Sequence, residues 1–319
     1  MEVNSSSEKS STRTRVKAAE FDRDAADLGP SADSMTTIIW KRFRRHPAAI
    51  ISTTVLIILV LAVILVSFSP YDPEASDLSS RVEPPSLQHP MGTDQLGRDL
   101  LTRVLYGGRI SFFVALMVVV VTLVIGIPVG AIAGFFGGPI DNLLMRITDV
   151  ALTLPTLLVL ILLSAIMREM ELPLIERNST ITIALVIGIL SWMTVARLLR
   201  ASYLTIREME FIEAAHAMGA SNLRIIVKHI LPNAVSPIIV QSTLMLGFAI
   251  MLESGLSFLG FGVQPPTPSW GNLLSNAQLH MTTYPWLAIF PGLMIFVAVI
   301  AINYIGDALR DAFDPYKVF

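Results

Sequence analysis

Uncharged runs divide this chain into six long apolar stretches. A helix that crosses a bilayer needs about 20 apolar residues, because the hydrocarbon core is about 30 Å thick. The pattern therefore predicts an all-α, polytopic membrane protein with six transmembrane helices. The predicted spans are residues 48–68, 112–136, 147–167, 180–198, 235–255 and 286–305.

The composition supports a membrane protein and argues against several other classes. Of 319 residues, 53% are hydrophobic and only 15% are charged, and the mean hydropathy is +0.64. A soluble domain would carry about a quarter charged residues. The chain has no cysteine, which excludes disulfides and thiolate metal sites. No G-x-x-x-x-G-K-[ST] loop, metal-ligand spacing or nucleophile with a base partner occurs, so we expect no enzyme activity, no cofactor, no metal and no nucleic-acid partner.

The distribution of basic residues predicts which side of the membrane each segment occupies. Six spans put both termini on one side. Seventeen of the 23 Lys and Arg residues fall on that side, in the two tails, at Arg146 and between residues 197 and 235. Basic residues accumulate in cytoplasmic segments. We therefore expect a multi-pass protein of the cell (inner or plasma) membrane with both termini in the cytoplasm.

The chain also divides into regions of different character. Its first residues are polar and typical of a disordered tail, and Trp40 and Phe43 then lie among basic residues, as in an interfacial helix. The predicted regions are a disordered cytoplasmic tail (1–36), an amphipathic lead-in (37–47), the first transmembrane helix with an extracytoplasmic loop (48–111), a core domain of spans two to six (112–306) that includes a helical segment on the membrane surface (211–232), and a cytoplasmic C-terminal tail (307–319).

Three features inside the spans leave alternatives open. The glycines at 126, 130 and 134 share one helix face, which suits close packing within the subunit or the lining of a pore. Asp149 is expected to pair with Arg146 or to reach the interface, with a proton relay as the less favoured reading. Glu253, at the outer end of span five, is expected to contact water. The spans hold no mid-bilayer cluster of acids, which argues against an ion-coupled secondary transporter.

A small-residue segment, "EAAHAMGASNLRIIVKHILPN" (213–233), interrupts the apolar pattern. We expect one helix to run from span four through "YLTIREMEFIEAAHAM" and to stop at Gly219 in a left-handed conformation. Ser221 or Asn222 can cap a second helix, which Pro232 ends before span five. A surface of small side chains suits docking into a partner's cleft. The alternative is an ordinary helix exposed to water, because such helices also favour Ala, Glu and Lys.

This segment resembles the EAA motif of permeases from ATP-binding cassette importers. Glu213, Ala214, Ala215, Gly219, Leu231 and Pro232 match the motif spacing. His229 stands where the general motif has a hydrophobic residue, and "HILPN" is similar to the peptide and nickel branch. In that family the segment is the coupling helix that docks on the ATPase, so the resemblance implies an ATPase-coupling role for these six residues.

Three further stretches are similar to the dipeptide/oligopeptide/nickel branch: "HPMGTDQLGRDLLTRVLYGGRISF" (89–112), "LSFLGFGVQPPTPSWGNLL" (256–274) and "GDALRDAFDP" (306–315). The first either forms an outer helix capped by Thr93 or Asp94, or contacts a binding protein. The second is expected to be a re-entrant bend, with Trp270 at the membrane interface. In the third, Asp307, Arg310 and Asp311 can pair on one helix face.

The resemblance implies the type I importer permease fold and a permease that forms half of a translocation pathway for peptides. It implies four kinds of partner: a related B-type permease, two cytosolic ATPases that hydrolyse ATP, an extracytoplasmic solute-binding protein and membrane lipid. Nickel, glutathione or oligosaccharide remain alternative substrates. A stand-alone channel or secondary transporter, or a membrane scaffold, remains an alternative class.

Overall fold

The computed structural model describes residues 35–169 and 179–313, and most of these residues are helical. The predicted disordered tail lies outside the described residues, apart from its last two positions. The α-helices are α1 Met35–Arg45, α2 Pro47–Leu65, α3 Leu100–Phe136, α4 Gly138–Thr153, α5 Thr156–Glu169, α6 Ser179–Ile189, α7 Trp192–Ile206, α8 Glu210–Ala217, α9 Asn222–Arg224, α10 Val235–Phe258, α11 Trp270–Ala277 and α12 Trp286–Phe313. In this part of the chain the extended structure amounts to one isolated bridge, between Thr93 and Asp99.

The predicted spans correspond to these helices, with different ends. Four helical stretches are long and apolar enough to cross a membrane: Pro47–Phe68, Leu100–Phe136, Asn222–Phe258 and Trp286–Phe313. Two bent pairs, α4 with α5 and α6 with α7, raise the number to six if each pair is one span. The all-α polytopic fold is thus confirmed. The chain divides into two compact units, Met1–Arg42 and Phe43–Phe319, and the sites described below lie in the second.

The predicted span 147–167 is divided between two helices, because the chain bends by 89° between α4 and α5. Pro155 lies at the break. Proline has no backbone N–H and disfavours helical backbone at the preceding residue. Leu154 accordingly adopts an extended conformation, with φ −76° and ψ 137°. The apolar run is therefore shared by two helices with different directions.

The glycines at 126, 130 and 134 let α3 lie directly against α7. A methyl group on Gly126 would lie 2.9 Å from Cβ of Val195, and one on Gly134 would lie 2.5 Å from Cβ of Tyr203. Close backbone approach through small residues is a common way for helices to associate in membranes, where apolar burial supplies little driving force. The structure therefore assigns this face to packing within the subunit.

The segment between α2 and α3 folds around two buried aspartates. Asp94 accepts hydrogen bonds from the backbone N–H groups of Leu96 and Arg98 and from Nε of Arg98 at 2.7 Å. Nε of Arg103 lies 3.3 Å from the same carboxylate. The N-cap of α3 is Asp99, which accepts a hydrogen bond from the N–H of Thr102 at 2.8 Å. The expectation that Thr93 or Asp94 caps this helix is wrong, because Asp94 instead closes the preceding loop.

Glu253 is fully buried, so the expectation that it contacts water is wrong. Its carboxyl group accepts hydrogen bonds from Oγ of Ser257 at 2.7 Å and Oγ of Ser111 at 2.8 Å. The hydroxyl of Ser111 also accepts a hydrogen bond from the N–H of Trp270 at 3.4 Å. Glu253 thus connects α10 with α3 and with the start of α11.

Trp270 is a core residue rather than an interfacial one. It is 1% exposed, its Nε1 donates to the carbonyl oxygen of Val104 at 2.8 Å, and its ring meets Phe112 edge-on at 5.5 Å. Ser269 and Asn272 form a capping box that begins α11. The stretch 256–274 therefore re-enters the helical core, as its Gly and Pro content predicts. At the other end of the chain, the predicted boundary at residue 307 falls inside α12.

Candidate functional site

The segment between α7 and α10, residues 207–234, forms a compact helical hairpin, which we call the hairpin segment. The turn Arg207–Met209 separates α7 from α8, so the expected continuous helix through 201–218 is wrong. Met209 has extended backbone at the start of α8. The hairpin segment is therefore joined to α7 by a bend.

Gly219 ends α8 in the conformation predicted from the sequence, with φ +80°. The N–H of Gly219 donates to the carbonyl oxygen of His216 at 2.9 Å, and that of Ala220 donates to Ala215 at 3.1 Å. These two bonds are those of a Schellman motif, which satisfies the last carbonyl groups of a helix. The left-handed residue reverses the chain into Ser221, the N-cap of α9.

The second arm of the hairpin segment does not stop at Pro232. The helix widens into a π turn over Ile225–Ile230, tightens into a 3-10 turn over Leu231–Ala234, and continues as α10. Pro232 lies in the first turn of the 3-10 stretch, where a backbone N–H is not needed. The predicted chain reversal at Pro232 is therefore wrong, and the whole stretch Asn222–Phe258 is one helical element. Single π turns are frequent at functional sites.

A buried apolar cluster attaches the hairpin segment to the transmembrane helices. It contains residues of α3, α7, α8 and the second arm, namely Ala131, Leu199, Tyr203, Ile206, Ile212, Ala215, Ile225, Ile230, Ala234 and Ile238. Two polar contacts reinforce it. Oη of Tyr203 donates to the carbonyl oxygen of Ile226 at 3.0 Å, and Nη1 of Arg207 donates to that of Gly134 at 3.1 Å. The hairpin segment is thus anchored to α3 and α7.

The six residues that match the EAA motif divide between the inside and the outside of this hairpin. Ala215 is buried and Leu231 packs against the cluster. The other four, Glu213, Ala214, Gly219 and Pro232, are exposed. The motif therefore combines residues that hold the hairpin together with residues that are available to a partner.

Large apolar side chains project from the hairpin, and the sequence interpretation missed them. Met218 is 81% exposed and Leu223 is 71% exposed, on either side of the Gly219 turn; Phe211 is also exposed. The expectation of a surface almost without side-chain bulk is therefore wrong. The available signal was that large apolar residues stand among the small ones in this segment.

Two arginine–aspartate pairs connect α7 with α4 beside the hairpin segment. Nε and Nη2 of Arg200 donate to the two carboxylate oxygens of Asp141 at 2.5 and 2.6 Å. Arg197 pairs with Asp149, and both side chains are about half exposed. The predicted pairing of Asp149 with Arg146 is replaced by this contact between helices.

Two family comparisons match most of the chain, on either side of residues 91–125. The family described as "binding-protein-dependent transport system inner membrane component" matches residues 126–317. A second family, "N-terminal TM domain of oligopeptide transport permease C", matches residues 34–90.

Individual relatives are similar over nearly their full length. A putative peptide permease protein of Brucella suis is 41% identical over 91% of this chain and 92% of its own. The dipeptide transport system permease protein DppC of Alkalihalophilus pseudofirmus is 39% identical, over 90% of this chain and 93% of its own. The oligopeptide transport system permease protein OppC of Bacillus subtilis is 36% identical, over 92% of this chain and 96% of its own.

Solved structures show the same fold. A chain of the MetNI methionine ABC transporter in an inward-facing conformation superposes with a TM-score of 0.53 at 17% identity, covering 66% of this chain and 97% of that one. A second crystal form of that transporter gives a TM-score of 0.52 at 20% identity. The type I importer fold predicted from the sequence is thus confirmed.

Proposed function

The chain belongs to the family of binding-protein-dependent transport system inner membrane components, and from this premise we propose that it is the peptide-importing permease subunit of an ATP-binding cassette transporter. Peptides are the proposed substrate class because relatives named for peptide, dipeptide and oligopeptide transport match over about nine-tenths of the chain. The hairpin segment receives an ATPase subunit, and the six motif residues Glu213, Ala214, Ala215, Gly219, Leu231 and Pro232 form or support that contact.

The exposed apolar tip of the hairpin is the observation that carries this proposal. Met218 and Leu223 flank the Gly219 turn and project from it. Exposed apolar side chains that are surrounded by charged ones are typical of a protein-binding surface. Glu213 and Lys228 are exposed beside them and offer charge pairs to a partner. Ala215 and Leu231 support the tip from inside the hairpin.

The continuous second arm provides a route from this contact to the translocation pathway. The stretch Asn222–Phe258 is helical throughout, so a displacement at Leu223 moves α10 directly. The first arm responds less directly because Arg207–Met209 separates α8 from α7. ATP-driven closure of two partner ATPases then moves α10 relative to α3 and α7 and changes which side of the pathway is open.

The remaining partners and the topology follow from the same proposal. A related B-type permease forms the other half of the pathway, and a solute-binding protein delivers the peptide on the outer face, where the loop 69–99 lies. Both termini and the hairpin segment lie in the cytoplasm. ATP hydrolysis belongs to the ATPases, and the permease provides the pathway and the docking site.

Cysteine cross-linking tests the docking directly, because the natural chain contains no cysteine. Met218→Cys in the assembled complex is expected to cross-link to an ATPase subunit that carries a cysteine in its docking cleft. The matched control is Leu87→Cys, which is also highly exposed but lies in the loop between α2 and α3. It is expected to react only with a membrane-impermeant maleimide from outside the cell.

Uptake measurements complete the test. Proteoliposomes that contain the whole complex are expected to accumulate a labelled tripeptide only with ATP inside and binding protein outside. Uptake without any ATPase would contradict the proposal and favour a stand-alone transporter. Labelling of Met218→Cys from outside the cell would contradict the proposed topology.

A further inference from the structure

A cavity of about 270 Å³ opens between the break that joins α6 to α7 and the middle of α10. Its lining combines three neutral polar side chains with three apolar ones: Ser191, Thr194 and Gln241, and Leu244, Met245 and Phe248. None of these side chains is charged. The volume is slightly below the range of about 300–1,000 Å³ that is usual for ligand pockets, so the cavity fits a part of a larger ligand.

Two polar groups of this cavity lack partners among residues 35–169 and 179–313. Gln241 lies in the apolar helix Asn222–Phe258, and its amide makes no hydrogen bond within the described residues, nor does the hydroxyl of Thr194. The neighbouring hydroxyls of Ser242 and Thr243 instead donate to backbone carbonyls of their own helix at 2.7 and 3.0 Å. Exposing an amide to hydrocarbon without a partner costs several kcal/mol. These two groups therefore face water or a polar ligand rather than lipid.

The exposed face of α7 supports an aqueous space beside the cavity. Exposed residues recur along it at helical spacing, at Thr194, Arg197, Ala201 and Thr205. The Arg197–Asp149 pair lies on this face, one turn from Thr194, and its side chains are 46% and 50% exposed. Charged groups in membrane helices normally face a water-filled cavity or the protein interior, because lipid solvates them poorly. The cavity thus opens onto a polar surface that continues toward the hairpin segment.

Taking the proposed permease function as its premise, we propose that Gln241, Thr194 and Ser191 form a binding site for the backbone amides of a translocating peptide. A peptide unit offers one N–H donor and one carbonyl acceptor, and the amide of Gln241 can bond to both. Leu244, Met245 and Phe248 contact an apolar part of the peptide. Because the lining is uncharged, it recognises the backbone without selecting for side-chain charge.

Substitution in the reconstituted importer tests this site. The complete complex, with ATPases and binding protein, is assayed in proteoliposomes with radiolabelled trialanine and trileucine. Gln241→Leu and Thr194→Val are expected to lower the initial uptake rate of both peptides by roughly three- to tenfold, which corresponds to the loss of one hydrogen bond. The controls Ser242→Ala and Thr243→Val remove hydroxyls that bond within α10, and they are expected to stay within about twofold of the wild type.

A second measurement reports binding rather than rate. A cysteine at position 248 (Phe248→Cys) in an otherwise cysteine-free complex is expected to react with a small maleimide, and saturating trialanine is expected to slow that reaction by at least threefold. The added Gln241→Leu substitution is expected to abolish the protection. Unchanged labelling in the presence of trialanine, under conditions in which the complex imports it, overturns the binding site.

The outcomes separate this inference from its premise. Absence of ATP-dependent uptake by the wild-type complex removes the proposed function itself. Wild-type uptake that equals the uptake of Gln241→Leu and Thr194→Val overturns only the cavity assignment. The cavity assignment is also overturned if these variants lose uptake and their purified complexes lack the second permease. The cavity would then be a contact between subunits.

Discussion

The hydroxyl of Tyr203 in α7 donates a hydrogen bond to the backbone carbonyl oxygen of Ile226 at 3.0 Å. Ile226 lies in the π turn, where the helical hydrogen-bond pattern is irregular. The bond therefore joins the helix that enters the hairpin segment to the helix that leaves it. The buried position of Tyr203 makes this bond a stable link between α7 and the second arm of the hairpin segment.

Tyr203→Phe is expected to loosen this link while the aromatic packing stays intact. The substitution removes this hydrogen bond, whereas the carbonyl oxygen of Ile226 still accepts from the N–H of Leu231, and it is expected to cost about 0.5–1.5 kcal/mol. We expect a lower Tm of the purified complex and fewer peptides imported per ATP hydrolysed. Thr205→Val is the control, because the hydroxyl of Thr205 is exposed and bonds only within α7. An unchanged ratio of import to hydrolysis would contradict a coupling role for Tyr203.

The left-handed backbone at Gly219 predicts that different replacements of this residue reduce transport to different degrees. A side chain there would meet no atom of this chain within 4 Å, but φ of +80° is strained for most residues. Gly219→Val is expected to cost about 1–2 kcal/mol locally and to reduce transport strongly without reducing membrane insertion. Asn tolerates this backbone region, so Gly219→Asn is expected to retain more transport, as measured by uptake per inserted complex.

The control for Gly219 is Gly255→Ala, which also meets no atom within 4 Å but lies inside α10. It is expected to keep wild-type uptake. If Gly219→Asn and Gly219→Val reduced uptake equally, the loss would come from side-chain bulk at the proposed docking surface. The backbone conformation at Gly219 would then not be its cause.

The close contact between α3 and α7 predicts a large effect of added bulk. Gly134→Leu forces the helices apart, because even a methyl group there would lie 2.5 Å from Cβ of Tyr203. Overpacking of this kind typically costs roughly 1–3 kcal/mol. We expect reduced abundance in the membrane and a lower Tm, measured by fluorescence-detected size exclusion after heating. Gly292→Ala, whose new methyl group would lie 3.8 Å from Leu274, is expected to be neutral.

The buried carboxyl group of Glu253 predicts different effects for polar and apolar replacements. Glu253→Gln keeps the shape and can still bond to the hydroxyls of Ser111 and Ser257. Glu253→Leu leaves both hydroxyls without this partner and is expected to cost at least about 2 kcal/mol. In thermal unfolding of the purified complex, the Tm of the wild type and of Glu253→Gln is therefore expected to be higher than the Tm of Glu253→Leu. A Leu variant as stable as the wild type would show that the cluster contributes packing alone.

The sequence predicted those features that depend on local chemistry. Gly219 is left-handed because a helix that stops there needs a residue without a Cβ, and this requirement is visible in the local pattern. The positions of the long apolar helices follow in the same way from the thickness of the bilayer. The all-α fold and the family could be predicted from the sequence for this reason.

Features that depend on contacts between distant residues could not be predicted from the sequence. Asp149 pairs with Arg197, 48 positions along the chain, rather than with Arg146 in its own helix. Pro155 breaks a span whereas Pro128 lies inside α3, because neighbouring helices decide which proline can be accommodated. Glu253 is buried where α10 meets α3, and its carboxyl group bonds to the hydroxyl of Ser111, 142 positions earlier in the chain. The domain boundaries and the docking role of the motif residues stay predictions.

The continuous helical stretch from Asn222 to Phe258, which includes one π turn and one 3-10 turn, gives the protein a long lever. Thirty-seven residues at 1.5 Å per residue span roughly 55 Å. A swing of about 5° around one end therefore displaces the far end by about 5 Å, approximately one helical pitch. In the proposed coupling, a small displacement of the hairpin segment therefore produces a movement on the scale of one amino acid at the other end of α10.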